Sequence, residues 1–469
     1  MSSSRESISP TVPYGYEPSA RVDWFAWVTS LLQRHGVRRA RRAVGTSGVL
    51  ILARGVSLLS SLVIVPATIK YLSADGYGVW MTLLSLLTML SLADLGVGNA
   101  LVSRIAVAVA LHDDPAVAKD TSTAFTMFSV IAVMSSIGLL VAYFAVPWFR
   151  VFNLAEGSVL AEQAGKAVLI LVAVQILRIP LDLVLHLRRG RQEGYVNALL
   201  DIPAALLKVV LVLLSVRVGC PLYLVVLAAS VSPLIVNALN WILLVSSHRE
   251  YLPRRAFFDS GRARELLQNG GLFLALQVAV LIGYSSDNLV AAQLLGPAAV
   301  SQYAVPSQLA LMGMGFISLL SAPLWGAYAE ANARRDYSWV RSTLQKSMCI
   351  SLAFAFVFAA GLVAVGRQVV SHWSRGSVRP TLLLMLGLAA WVVLGSAGAA
   401  LSVFLNAMKV VRLQVICSML MAVSNILLSI TLVGHVGVAG LVWGTTISYS
   451  VFIVLPYSVL VPRYLRSLR

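Results

Sequence analysis

Six ionisable side chains fall inside long apolar runs of this chain: Arg54, Arg178, Asp182, Asp201, Lys208 and Asp287, with Asp94 and Glu330 near the ends of such runs. A charge in hydrocarbon costs roughly 2.5 to 3.5 kcal/mol on insertion scales, so each must face protein, water or a ligand. At the helical rise of about 1.5 Å per residue, Asp182, Asp201, Arg54 and Arg178 lie about 8, 9, 12 and 14 Å from one membrane boundary, and Lys208 about 20 Å. Arg178 and Asp182, four apart, can pair on one helix face. Arg54 or Lys208 could neutralise Asp201, which still leaves one cation over. Either these charges only fix helix packing, or the surplus cations Arg54, Arg178 and Lys208 face a cavity and bind an anion. Phosphate is the anion that the arginine fork of donors matches best. Asp287, in IGYSSDNLVAAQLLG, has no basic neighbour in the spans of its own half of the chain. It could take up a proton or, with Ser285, Ser286 and Asn288, a sodium ion; alternatively it pairs with Arg54 as a gate. Asp182 and Asp201 share that ion-coupling or gating reading.

No catalytic constellation accompanies these charges. There is no HExxH, no Walker A loop and no paired-cysteine motif, and Gly96-Val97-Gly98 alone is no nucleotide fingerprint. His112-Asp113-Asp114 reads as a solvated turn leading into a helix rather than a metal motif. Cys220, Cys349 and Cys417 are isolated from one another and suggest neither a disulfide framework nor a metal site.

The elements that must position the charges are membrane helices. With 469 residues, 58% hydrophobic and 12% charged, and a mean hydropathy of +0.84, the chain has too little polar surface to wrap a soluble core. Apolar runs of spanning length fall at roughly 46–69, 78–94, 121–146, 166–187, 195–216, 221–245, 271–295, 300–328, 346–365, 380–406, 411–433 and 437–461. Assigning loops alternately puts about 26 of the 36 Lys and Arg on the amino-terminal side against about 7 on the other. Both termini are therefore expected in the cytoplasm. The net charge of +17 follows from this bias rather than from a nucleic-acid surface, since no aromatic-basic reading face exists. Residues 1–45 form a cytoplasmic tail in which Val22 to Leu32 reads either as an interfacial amphipathic helix or as a segment of no special role.

A basic segment at 249–270 divides a first half, 46–248, from a second, 271–469. Weak matches at an offset of roughly 220 to 226 residues suggest an internal repeat. KYLSADGYGVW parallels AQLLGPAAVSQYAV, with Tyr77 against Tyr303, and LDLVLHLRRGRQ parallels LSVFLNAMKVVR. The expected fold is an all-α polytopic membrane protein, about twelve transmembrane helices in two six-helix pseudo-symmetric lobes around a central cavity. Pro66, Pro180, Pro203, Pro233, Pro306, Pro323 and Pro456 lie within spans, where each frees a carbonyl and could serve as a hinge.

Four passages carry a family resemblance: RGVSLLSSLVIVPATIKYLSADGYGVW; SLADLGVGNALVSRIA, with Asp94 and Gly96; SDNLVAAQLLGPAAVSQYAV, with Asp287; and PLWGAYAEANARRDYSWV, with Trp325 and Glu330. With them the chain resembles the polysaccharide transport family, the Wzx-type O-antigen and exopolysaccharide flippases of the MATE-like MOP superfamily. The resemblance implies translocation of an undecaprenyl-pyrophosphate-linked oligosaccharide across a bacterial inner membrane by alternating access. It also implies a cation-lined cavity, no cofactor beyond H+ or Na+ coupling, and polysaccharide polymerase or assembly proteins as partners. Arg54, Arg178 and Lys208 match the need for positive charge around the pyrophosphate. A MATE-type cation antiporter on the same fold would instead show acidic, aromatic-lined cavities. A membrane-embedded polymerase or ligase would need a substantial outer domain, and the longest loop on that side spans only roughly 147–165. Sugar recognition is expected to be spread over polar side chains such as Asn197, Asn237, Asn240, Gln277, Gln308 and Asn406.

Overall fold

The computed structural model describes residues 37–90, 96–321, 324–408 and 410–467. Asp94 and the Val22 to Leu32 segment lie outside these residues, as do the side chains of Ser285, Trp325 and Glu330. Met1–Val49 and Leu50–Arg469 form two compact units, and every helix from α2 onward belongs to the second.

The described residues contain helices and no strand. In order they are α1 Val37–Leu90, α2 Val97–Ala110, α3 Asp114–Ala145, α4 Val159–Gly190, α5 Gly194–Val218 and α6 Leu222–Ser247. There follow α7 Ser260–Leu295, α8 Pro297–Ser321, α9 Leu324–Ala333, α10 Tyr337–Trp373, α11 Leu382–Ala407 and α12 Val411–Val436. The last are α13 Ala439–Tyr449 and, after a π turn at Ser450–Val454, α14 Leu455–Ser467. Among the described residues nine helices are long and apolar enough to cross a membrane. On α3, Val130, Val133, Met134, Ile137, Leu140, Val141 and Phe144 are all exposed, an apolar face that only lipid can solvate.

Local chemistry sets the helix starts. Side chains of Asp113, Ser158, Asp259, Asp336 and Thr381 each accept a backbone N–H from the first turn of the helix they precede, satisfying donors that a helix cannot satisfy itself. Asp113 does so from an exposed turn, in line with its reading as a solvated helix start.

The first two spans are limbs of α1, joined by a tight turn at Ser73, whose φ of 65° and ψ of 174° are non-helical. Of the run at 300–328, α8 covers the residues up to Ser321 and α9 those from Leu324.

Helices α2 to α6 pack chiefly on one another: α4 meets α2, α3 and α6, and α5 lies on α6. In the second half α12 packs on α7 and α13, and α11 on α8, α10 and α13; α2 and α3 also touch α7. The segment 248–262 is tied down at the arginine-rich end. Tyr251 is fully buried, Ser122 and Thr123 hydroxyls accept the N–H groups of Arg254 and Asp259, and Arg262 pairs with Asp120 at 2.8 Å.

Candidate functional site

The cation layer is only partly self-neutralised. Arg178 donates from Nη2 to Asp182 at 3.2 Å, the pairing expected from their spacing, and from Nη1 to Gln175 at 3.3 Å. Asp182 is held on its other oxygen by Asn237 at 2.6 Å. The Nε of Arg178 is buried with no acceptor among the described residues, so this guanidinium keeps one directed donor in reserve.

Arg54 does not pair with Asp287. Its side chain is exposed and lies against α8, with Nη2 3.1 Å from where a Cβ of Gly315 would sit. Asp201 and Lys208, two turns apart on α5, do not pair either. Asp201 is exposed and feels Arg189, while half-buried Lys208 has no ionic or hydrogen-bond partner among the described residues. An interval of seven residues places the two about 10 Å apart along the helix axis, too far for direct contact.

Asp287 is 3% exposed and sits in a cluster of oxygens from four helices. Tyr303 of α8 donates to its Oδ2 at 2.6 Å, Thr445 of α13 to the same oxygen at 3.1 Å, and Asn425 of α12 to Oδ1 at 3.3 Å. The Ser429 and Thr445 hydroxyls each lie 3.1 Å from the Oδ1 of Asn425 and also near the carbonyl of Leu441; with one proton each, they give it to one of these acceptors at a time. One carboxylate among neutral oxygens suits a proton or a hard monovalent cation better than a thiophilic metal. Of the companions expected from the sequence, the Ser286 hydroxyl is buried with no hydrogen-bond partner among the described residues, and Asn288 donates to Ser85 at 2.9 Å.

Beside this cluster opens a cavity of about 570 Å³ lined by Asn288, Tyr303, Gln308, Trp391, Ser402 and Tyr449, among others, with no Lys or Arg among the described lining residues. The wall is mostly apolar and aromatic, with Asp287 and the neutral polar groups of Asn288, Gln308 and Ser402 set in it; Arg54, Arg178 and Lys208 are not among its described lining residues. Gln308 also donates to Tyr77 at 3.2 Å, which brings the two matched repeat tyrosines to one region. Of the other candidate sugar ligands, Asn197, Asn237 and Asn240 are spent on structure. Asn240 donates to Asn197 and accepts from Arg188, and Asn197 donates to the Leu185 carbonyl. Asn406 accepts from Gln414 at 2.9 Å. Gly96 is a left-handed helix start (φ 72°) whose position a Cβ could not share with the backbone of Gly270, so its conformation and packing fix the α2–α7 crossing.

Sequence reasoning missed Asn425, Ser429, Thr445, Trp391 and Tyr449. Polar residues four apart in MLMAVSNILLSITLV were a usable signal, since Asn425 and Ser429 share a face of an otherwise apolar helix. Nothing in the sequence says which other helix that face meets.

A bundle of apolar helices of spanning length around an internal cavity is the build of a multi-pass membrane protein, and solved structures share the fold. An inward-facing multidrug resistance transporter of the MATE family, MOP superfamily, superposes with a TM-score of 0.77 at 15% identity, covering 90% of this chain and 98% of that one. The lipid II flippase MurJ in an inward closed conformation gives 0.68 at 14%, with 89% and 87% covered. An outward-facing MATE transporter gives 0.65 at 15%, with 90% and 96% covered. At such identities the likeness shows the fold alone. The family follows from the sequence: residues 45–324 match the polysaccharide biosynthesis protein family, and the chain belongs to it. No curated protein matches the sequence.

Proposed function

We propose that this protein carries an undecaprenyl-pyrophosphate-linked oligosaccharide from the cytoplasmic to the outer leaflet of a bacterial inner membrane for surface polysaccharide assembly, without covalent chemistry. The observation that carries the reading is a cavity with polar groups in its wall inside a membrane-spanning chain of the polysaccharide biosynthesis family. Arg54, Lys208 and the spare Nε of Arg178 supply the positive charge for the pyrophosphate. The helices of the two halves rock about that site, with both termini in the cytoplasm and polymerase or assembly proteins receiving the product. Asp287 with Asn425, Ser429, Thr445 and the Leu441 carbonyl forms the coupling site for H+ or Na+.

A deletion strain complemented with Arg178→Ala or Asp287→Asn tests this. Both variants are expected to accumulate lipid-linked intermediate on the cytoplasmic leaflet and to lose surface polymer at unchanged protein level. Normal polymer in the Arg178→Ala, Arg54→Ala and Lys208→Ala variants alike would remove the anion site. One observation favours a second reading, export of organic cations: the cavity is aromatic with a carboxylate at its edge. That reading predicts resistance to cationic dyes, lost in Asp287→Asn.

A further inference from the structure

We infer that an apolar groove at the arginine-rich end of α6 is a binding site for an anionic glycerophospholipid, with an acyl chain in the groove and the phosphate at Arg254 and Arg255. The site is on the lipid-facing side of the first half and is independent of what the protein carries.

The groove has a volume of about 590 Å³ and lies where α3, α4 and α6 meet the segment that follows α6. Phe125, Leu181, Trp241 and Val245 line it on the helices, and Leu252 and Pro253 continue it beyond the helix end. Phe125 meets Trp241 edge to face, centroids 6.0 Å apart at 86°. The polar side-chain groups of the wall are already spent: the Nε1 of Trp241 donates to the Leu181 carbonyl at 2.9 Å and the Ser246 hydroxyl to the Leu243 carbonyl at 3.1 Å. An occupant of this wall therefore gains burial of apolar surface, which suits a hydrocarbon chain. Ile242 and Leu252 in the lining are exposed, so the groove opens sideways on a helix of membrane-spanning length. From Trp241 to the end of α6 at Ser247 is about 9 Å along the axis. The groove thus runs from the helix end, where headgroups lie, into the acyl layer.

Charge selects the headgroup. Arg249, Arg254 and Arg255 follow the helix end, are exposed, and form no ion pair among the described residues. The two acids of the same stretch do not neutralise them: Glu250 faces His248 at 3.2 Å and Arg191 at 4.0 Å, and Asp259 faces Arg262 at 3.8 Å. Arg254 directly follows Pro253 of the groove. Its backbone N–H donates to the Ser122 hydroxyl at 3.1 Å, within one turn of Phe125 on α3, and its guanidinium lies over the Phe257 ring, 5.7 Å from the centroid. A cation is thereby held beside the groove without a counter-ion. A phosphodiester supplies one, and the arginine fork of donors matches its oxygens. A zwitterionic head brings its own cation to the same place and gains less. A phospholipid seated here pins the connection between the two halves to the bilayer.

Tryptophan quenching tests the site. Full-length protein purified in detergent is titrated with phosphatidylglycerol or phosphatidylcholine carrying dibrominated acyl chains. Wild type should show a saturable component that Trp241→Phe removes, with phosphatidylglycerol about tenfold tighter than phosphatidylcholine. Val245→Phe should abolish the same component by filling the groove. A basic side chain beside an anionic headgroup contributes about fivefold, so Arg254→Gln with Arg255→Gln should bring phosphatidylglycerol down to the phosphatidylcholine level. Both arginines are exposed, which keeps this double variant informative if either groove variant fails to fold. Equal affinity for the two lipids in wild type would overturn the inference, as would a preference that survives in the double variant. So would displacement of the brominated phosphatidylglycerol by farnesyl pyrophosphate as readily as by unlabelled phosphatidylglycerol, which would make the groove a seat for an isoprenoid chain.

Discussion

Asp120 shows how a single carboxylate organises the arginine-rich end. It is almost fully buried on α3, yet takes Arg104 of α2 at 3.0 Å and Arg262 of α7 at 2.8 Å, and Arg104 also reaches Glu265. Replacing it by Ala leaves two guanidiniums facing one another. The expected loss is at the low end of the roughly 3 to 5 kcal/mol seen when a buried ion pair loses one partner, because both arginines remain partly exposed. A fall in the unfolding midpoint of the detergent-solubilised protein would report it, and an unchanged midpoint would show the triad to be incidental. Glu193, in the turn before α5, offers a pH test. Burial would raise its carboxyl, but hydrogen bonds from Arg188 and Arg191 outweigh that and hold it below the ordinary range. The stability it contributes is present above the ordinary glutamate pKa and lost as pH falls through the depressed one. Glu193→Gln should therefore lower the midpoint at neutral pH and flatten its acid-side decline; a parallel decline in both proteins would refute the linkage. At this scale the sequence was informative where partners share a helix, as for Arg178 and Asp182. It was uninformative where partners come from distant helices, as for Asp287, whose three donors lie 16, 138 and 158 residues away.

At the scale of elements, the join between the two limbs of α1 is the most constrained place. The run Ala74 to Gly78 lies against the start of α8. Ser301 donates to the Ala74 carbonyl, and a Cβ on Gly78 would overlap the carbonyl of Pro297. These are the two stretches that the repeat analysis matched to one another, so the repeated turns meet face to face. Nearby, Asn153 and Gln293 exchange amide contacts with the opposite backbones. This end is closed by neutral groups in close backbone approach, in contrast to the ion pairs of the arginine-rich end. Gly78→Val should hold it apart, lengthening the distance between spin labels at Glu156 and Leu294; an unchanged distance distribution would show that the contact carries no closure. Proline hinges are more particular than their number suggests. The π turn at Ser450–Val454 immediately precedes Leu455 and Pro456, where the missing N–H and the bulk of the ring disfavour regular α-helical bonding. Helix positions were legible from hydropathy because length and apolarity are local properties; which residue of the turn between the first two spans carries the positive φ was not, since backbone dihedrals at one serine leave no compositional trace.

For the whole molecule, the chain sorts its chemistry by half. The cations Arg54, Arg178 and Lys208 come from the first half, and the carboxylate cluster and aromatic cavity come almost wholly from the second. Arg54, at Gly315 of α8, is where the two meet. Membership of the polysaccharide biosynthesis family and the carrier fold were both readable from spans and motifs. The aromatic cavity wall was not, because Trp391, Thr445 and Tyr449 look like ordinary members of apolar helices until packing turns them inward. The most direct test of the account is leaflet transfer in reconstituted vesicles loaded with undecaprenyl pyrophosphate bearing a short glycan, read by a sugar-modifying enzyme confined to one side. The account predicts transfer that needs an imposed H+ or Na+ gradient and disappears in Arg54→Ala and Asp287→Asn. Gradient-independent background rates in wild type, indistinguishable from protein-free vesicles, would contradict it.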